Sequence, residues 1–553
     1  MSSSTKKSGS NILIQGSILA IASFISRIIG LVYRIPLNAI IGNKGNDYYS
    51  TAFEIYNILL IMSAYSLPLA VSKLVSARVA KGQRRNAYRI FKGALMLALV
   101  SGGIASLILY FGAGYFTSEI MKTPLSVFAL KVLAPTIIVV AVLGVVRGFF
   151  QGLGTMMPSA VSQIVEQTVN AFVSVGAAFL LFGYGSRIGA VLGNKEEYGS
   201  AYGAAGGTLG TNLGAVFGLL FVGFLFFAYR PLFRRQIRRD RKCKTESYSD
   251  IFRILLLTIV PVLLSTTIYN ISSVIDQGIF KNVAILQGYS PNDISEWWGI
   301  FGMQYKTIIN IPLAIASALA ASCVPNLTAA FSRRDKAAVK SQINTAIRFI
   351  MVISFPCAVG IGVLASPVMR LLFGETSPVA SGLLRAGAIS IVFYSLSTLS
   401  NGLLQGINRM KAPVRNAAIA LVLHIAVLLF LMFGFHLNIY AVVYANAFFA
   451  FVMCVLNAMS VRKYSGYRQE VKKTFLIPLA ASCVMGVLVF ASYQAVHALL
   501  HYNSVATVIA ILIGIISYFI SLLLLKGLSE DEILRFPKGV LLVKIAKKFR
   551  LLK

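Results

Sequence analysis

The sequence predicts an all-α polytopic membrane protein of about fourteen transmembrane helices, built as two six-helix lobes related by a parallel repeat plus two C-terminal helices. Three observations carry that prediction. Of the 553 residues, 57% are hydrophobic and 12% charged, and the mean hydropathy is +0.77; a soluble protein carries roughly 25% charged residues. Basic residues gather in alternate short loops. One phrase is also written twice, as GFFQGLGTMMP from Gly148 and GLLQGINRMKAP from Gly402.

About 20 apolar residues cross the hydrocarbon core. Stretches of that kind fall near 11–41, 50–79, 88–115, 126–150, 158–183, 199–229, 251–281, 297–328, 343–373, 379–407, 413–436, 439–461, 473–499 and 504–526. The start, Met1 to Ser10, is polar and the first apolar stretch runs too long for a cleavable signal, so none is expected. The net charge of +33 comes from 51 basic and 18 acidic residues. In a soluble chain that excess would suggest nucleic acid. Here it follows even-numbered spans: Arg78, Lys81, Arg84, Arg85 and Arg89 after the second, Arg234 to Lys244 after the sixth, Arg409, Lys411 and Arg415 after the tenth. Loops after odd-numbered spans hold the acids Asp47, Glu196, Glu197, Asp293, Glu296 and Glu375. That asymmetry places both termini in the cytoplasm of a cell-membrane protein, and no nucleic acid is expected. Cys243, Cys323, Cys357, Cys454 and Cys483 are scattered and imply neither disulfide nor metal.

Lys131 and Arg385, like Gln151 and Gln405, stand 254 residues apart, and the basic turns 81–89 and 333–340 are about 250 apart. Six spans separate the copies, so both share one orientation, as in a parallel transporter repeat with substrate between lobes that rock about it. The expected organisation is an N-lobe over 1–229, a basic linker over 230–250, a C-lobe over 251–461, two further spans over 462–527 and a basic tail over 528–553. Gln151, Gly152, Gln405 and Gly406 are expected to form structural turns, because Gly and Pro break the helices there.

Ionisable groups inside spans are costly and normally face a cavity or a partner. In SFISRIIGLVYRIPL, Arg27, Gly30 and Arg34 share one helix face, and Pro36 should bend the helix beyond. Lys306 lies in MQYKTIINIP of the eighth span. Lys131, Arg385 and Arg348 sit closer to span ends, where they either line a cavity or snorkel. The acids are fewer: Glu54, Glu166 and Asp276 are candidates for ion coupling or for ion pairs. Cations outnumber anions, and arginine grips phosphate with two parallel hydrogen bonds, so an anionic, phosphate-bearing substrate is expected.

At SRIIGLVYRIPL, PLAVSKLVS (Pro68–Ser76), RGFFQG and MPSAVSQIVEQ (Met157–Gln167) the chain resembles the MurJ/SpoVB/YtgP branch of the MOP exporter superfamily. The resemblance implies a MATE/MOP-like fold and a flippase for undecaprenyl-pyrophosphate-linked sugars, chiefly lipid II for peptidoglycan and cell-wall biogenesis. It further implies a V-shaped pair of lobes, a cationic central cavity and a lipid-tail groove beside the last two spans. Arg27 matches the arginine of the family's S-R-x-x-G pattern, Arg34 falls near its second arginine, and Lys306 near its eighth-span basic residue. Ile35 stands where Gram-negative relatives have an acid, and Asn57 to Met62 lacks their second-span basic residue.

Two other transporter readings remain: a flippase for another polyprenyl-linked polysaccharide (spore cortex, teichoic or capsule type), and a MATE-type cation or drug antiporter, which would need an acidic cavity. An enzyme would need clustered acids or histidines, whereas His424, His436, His497 and His501 are dispersed. No catalytic residue, cofactor or metal is expected. The expected partners are the lipid-linked glycan, membrane lipids and cell-wall synthesis proteins, with the protein itself a monomer. In the tail, Ser529 and Glu532 form a capping box. Leu541, Ile545, Phe549 and Leu552, flanked by Lys544, Lys547, Lys548 and Arg550, predict a helix lying on an anionic leaflet.

Overall fold

The structure is a computed structural model and describes residues 18–19, 21–240, 245–527, 530, 544 and 547. The tail reading over Ser529, Glu532 and 540–553 therefore lies outside the described residues, apart from Lys544 and Lys547. All regular elements among the described residues are helical.

Packing divides the chain into two compact units, Met1–Met303 and Gln304–Lys553. The first holds α1 (Ile21–Val32), α2 (Arg34–Leu60), α3 (Leu67–Ala80), α4 (Arg84–Tyr115), α5 (Val127–Leu133), α6 (Thr136–Gly152), α7 (Met157–Leu192), α8 (Lys195–Arg239), α9 (Tyr248–Asn270), α10 (Ser272–Leu286) and α11 (Pro291–Gly299). The second holds α12 (Lys306–Ser332), α13 (Lys336–Val363), α14 (Ala365–Phe373), α15 (Pro378–Gly387), α16 (Ser390–Gly406), α17 (Lys411–Phe435), α18 (Asn438–Ser465), α19 (Ile477–Leu500) and α20 (Asn503–Leu524). By packing, residues 251–303 group with the N-terminal helices.

Local chemistry sets the helix ends. Ser290 caps α11 by accepting the Asp293 amide, with Pro291 in the first turn, and Asp335 caps α13 by accepting the Ala338 amide. α2 is broken at Gly42, whose φ of 67° is left-handed. Outward faces stay apolar: Phe111, Phe172 and Val191 are 80%, 77% and 87% exposed, which suits hydrocarbon and not water. Among the described residues, eleven helical runs are long and apolar enough to cross a membrane, or twelve with α15 and α16, bent by 44°, taken as one span. The count is below fourteen partly because α2 and α3 form a single run, Arg34–Ala80, through a wide turn at Ile61–Tyr65, while α1 is a short apolar helix.

Within the first unit, α7 and α8 lie against each other along a seam of small residues. A Cβ at Gly214 would meet the Glu166 carbonyl oxygen at 2.6 Å, so only glycine permits the approach. In a membrane this close packing replaces the hydrophobic effect as the source of helix association.

The repeated phrase has one structural meaning, realised once in each unit. After α6, the Gly154 amide donates to the Gln151 carbonyl at 3.0 Å and the Thr155 amide to the Phe150 carbonyl at 3.2 Å. After α16, Asn408 donates to Gln405 at 2.9 Å and Arg409 to Leu404 at 2.8 Å. Each pair is a Schellman cap, with Gly154 at φ 90° and Asn408 at φ 57° in the left-handed position, where Gly and Asn are the favoured residues. The glycines preceding each cap meet a neighbouring helix. A Cβ at Gly148 would stand 2.6 Å from the Pro68 carbonyl oxygen on α3, and one at Gly402 3.0 Å from Ala320 Cβ on α12.

Candidate functional site

In the first unit a polar stripe runs along α1 and into the start of α2. Ser23, Arg27, Gly30 and Arg34 recur at three- or four-residue intervals and share one face. The stripe lies beside the amides of α7: Ser23 Oγ donates to Gln163 Oε1 at 3.0 Å, and a Cβ at Gly30 would be 3.6 Å from Gln167 Oε1. Arg27 falls between these two contacts and is exposed. A guanidinium facing hydrocarbon mid-span costs about 3 kcal/mol, so this one calls for water or an anion. Arg34 turns toward Tyr33 and Tyr49, whose hydroxyls are 3.3 Å apart.

Glu166 does not neutralise the stripe. It accepts Arg147 Nη2 at 2.8 Å, while Arg147 Nε donates to Ser162 Oγ at 2.7 Å. The acid on α7 is thereby committed to α6. Gln151 Nε2 donates to Ser159 Oγ at 3.1 Å across the α6–α7 turn, with Gly152 buried behind it. Gln405 is exposed and Gly406 buried at the corresponding turn of the second unit.

The remaining predicted residues occupy separate places. Lys131 is exposed and stands 5.7 Å from the centroid of the Tyr110 ring. Glu54 is half-buried on α2 and Asp276 is buried on α10. In the second unit Lys306 opens α12 and is half-buried, and Arg385 is exposed on α15. Arg348 Nη2 donates to the Gly527 carbonyl oxygen at 2.6 Å, where the chain leaves α20. That bond commits it to a helix end, where a cation is favoured by the backbone dipole.

One charged cluster has no counterpart in the sequence reading. Lys281 Nζ lies 2.5 Å from Asp47 Oδ1, with both side chains 1% exposed. Thr51 Oγ1 donates to Asp47 Oδ1 at 3.1 Å and Ser295 Oγ to Oδ2 at 2.8 Å. Lys281 also reaches Thr123, and Gln277 reaches Thr51. The set joins α2, the turn before α5, α10 and α11. Asp47 reads as a loop acid in the sequence, and only its position inside a helix, two turns before Glu54, could have signalled otherwise.

The second unit contains an apolar groove of about 1110 Å³ among α12, α13, α14, α19 and α20. Ile311, Pro356, Leu364, Met485, Gly514 and Phe519 are among its walls. Its size and lining suit a hydrocarbon chain. Among the described residues no group of three or more His, Cys, Asp or Glu is arranged to hold a metal ion.

Residues 12–331 match the family described as Polysaccharide biosynthesis protein, and residues 302–430 match MatE. The chain is 26% identical over 512 residues to Lipid II flippase MurJ of Bacillus subtilis (strain 168), covering 87% of this chain and 90% of that protein. It is 23% identical over 529 residues to Stage V sporulation protein B of the same organism, covering 94% and 96%. Among solved structures, an inward-facing multidrug resistance MATE family transporter of the MOP superfamily superposes with a TM-score of 0.63 at 18% identity, over 80% of this chain and 96% of that one. Lipid II flippase MurJ in an inward closed conformation gives 0.61 at 18% identity, over 91% and 97%.

Proposed function

Because the chain belongs to the polysaccharide biosynthesis protein family, within the MOP superfamily of transporters, we propose that it is a flippase. Its substrate on this reading is an undecaprenyl-pyrophosphate-linked sugar precursor, lipid II foremost, carried from the inner to the outer leaflet by alternating access. The observation that carries the reading is Arg27, exposed on an apolar helix between the Ser23–Gln163 hydrogen bond and the Gln167 amide that lies beside Gly30. A pyrophosphate supplies the anion that such a guanidinium lacks, and the fork geometry of arginine fits it. Lys306 adds a second cation on this reading. The apolar groove of the second unit supports it as well, since a polyprenyl tail needs a dry path of that size.

The break at Gly42 supports dividing the long run that starts at α2, as a reading of fourteen crossings requires; on this reading both termini are cytoplasmic and the protein acts as a monomer. Outward movement of a pyrophosphate is helped by an inside-negative potential, by roughly 2.3 kcal/mol per charge per 100 mV. Ion coupling is then not required.

A second reading, another polyprenyl-linked polysaccharide, shares this chemistry and differs in headgroup. A MATE-type cation antiporter is disfavoured, because α1 carries Arg27 and no acid.

Depletion in the native host tests the proposal directly. The lipid-linked precursor that accumulates on the cytoplasmic side should be lipid II, and Arg27→Ala should fail to relieve the block although the protein is made and inserted. Accumulation of a different polyprenyl-linked glycan would select the second reading. Full rescue by a chain lacking both Arg27 and Lys306 would exclude pyrophosphate binding by these residues.

A further inference from the structure

Away from the α1 stripe and the apolar groove, the second unit contains a polar basin of about 690 Å³ between the first turns of α13 and the loop that follows α18. Lys340, Ser341 and Asn344 line it from α13; Gly466, Tyr467, Arg468 and Glu470 line it from the loop. We infer that this basin is a binding site for a phosphate group.

The loop is built to stay open. Gly466 ends α18 at φ 65°, with its amide on the Arg462 carbonyl at 2.9 Å. A Cβ there would lie 3.7 Å from Lys340 Cε and 3.8 Å from Nζ, so the lysine lies across the bare backbone of the turn. The next residue fixes the loop to the helix: Tyr467, 6% exposed, donates its hydroxyl to Asn344 Oδ1 at 2.8 Å and its amide to Ser465 Oγ at 3.1 Å. Burial raises the Tyr467 phenol above its ordinary value.

With Tyr467 and Asn344 paired to each other, the groups left for a ligand are the Lys340 ammonium, the Arg468 guanidinium and the Ser341 hydroxyl. Both cations are exposed. An ammonium, a forked guanidinium and a hydroxyl together match the several acceptor oxygens of a phosphate. One carboxylate, Glu470, opposes two cations within the basin, and the flanking sequence adds Arg333, Arg334, Lys336, Arg462, Lys463, Lys472 and Lys473. This concentration of positive charge focuses an attractive field on the basin.

The phosphate has two possible sources, an anionic phospholipid headgroup or a soluble phosphate. Full-length protein in neutral detergent is titrated with dioctanoyl phosphatidylglycerol, with dioctanoyl phosphatidylcholine and with inorganic phosphate, and the thermal midpoint is followed. The expected result is a rise with phosphatidylglycerol that is reduced at least tenfold in apparent affinity by Lys340→Gln with Arg468→Gln. The rise should be kept in a control carrying Arg234→Gln with Arg238→Gln, and Glu470→Gln should tighten binding by removing the one opposing charge. A rise of equal affinity with inorganic phosphate, lost in the same double variant, assigns the site to soluble phosphate. If neither phosphate-bearing probe gives a shift that depends on Lys340 and Arg468, or if phosphatidylcholine acts equally in both proteins, the inference is overturned. All the substituted side chains lie outside the buried core, and native mass spectrometry of the same samples counts bound lipid independently of stability.

Discussion

Arg27 and Arg348 are both candidate cavity cations as sequence, the second nearer a span end, and the structure separates them. Arg27 has its polar neighbours on either side and stays exposed, whereas Arg348 is spent on the Gly527 carbonyl. Its partner lies far along the chain, so no local pattern could have named it. Glu166 was legible as an acid in need of a cation, but Arg147, the cation it uses, stood unremarked just ahead of the repeated phrase. The Asp47–Lys281 pair was illegible for a related reason. Each residue sits near a span end, where a charge usually meets solvent, and only the fold buries both. Removing one member of a buried pair leaves an uncompensated charge, so Lys281→Ala should cost about 3 kcal/mol, while Asp47→Leu with Lys281→Met should recover most of that loss. Thermal unfolding of the detergent-solubilised protein measures both, and a single variant as mild as the double would contradict the coupling.

At the level of elements, the repeat was the most readable feature, because a Schellman cap has a short code: a polar residue, a small residue and a left-handed position. The two copies use different residues for that last role, and this difference makes the cap testable. Valine at position 154 would have to adopt a left-handed backbone, so Gly154→Val should destabilise by about 1–2 kcal/mol. Asn408→Gly should be close to neutral, since glycine meets the same requirement. Equal melting of the two variants would show that these turns are not under conformational constraint. The kink at Gly42 was less legible. The stretch GNKGND, residues 42–47, has the Asn and Gly of a loop, and nothing in it says that a helix resumes at once and carries Asp47 inward. The α7–α8 seam was legible as composition, in the glycines of 199–218, but its partner surface was not.

For the whole molecule, apolar length and alternate basic loops were enough to give a multi-pass helical protein, and the family match and the superposed structures agree with that architecture. Sidedness is the next thing to measure. In a cysteine-free background, single cysteines at Gly82, Gly154 and Asn408 should react with a membrane-impermeant thiol reagent only after the membrane is opened. Cysteines at Gly193 and Gly288 should react in intact cells. Labelling of any of the first three from outside would invert the proposed topology. The bond from Arg348 to Gly527 also has a mechanical meaning. A load applied at the C-terminal end reaches the helices through residue 527, and the guanidinium on that carbonyl, 2.6 Å away, fastens the load to α13 before α20 feels it. Drawn from that end by a cantilever, the protein should show its first yield where this fastening parts, and Arg348→Ala should lower the force at which it does so, letting α20 peel from the bilayer under a weaker pull.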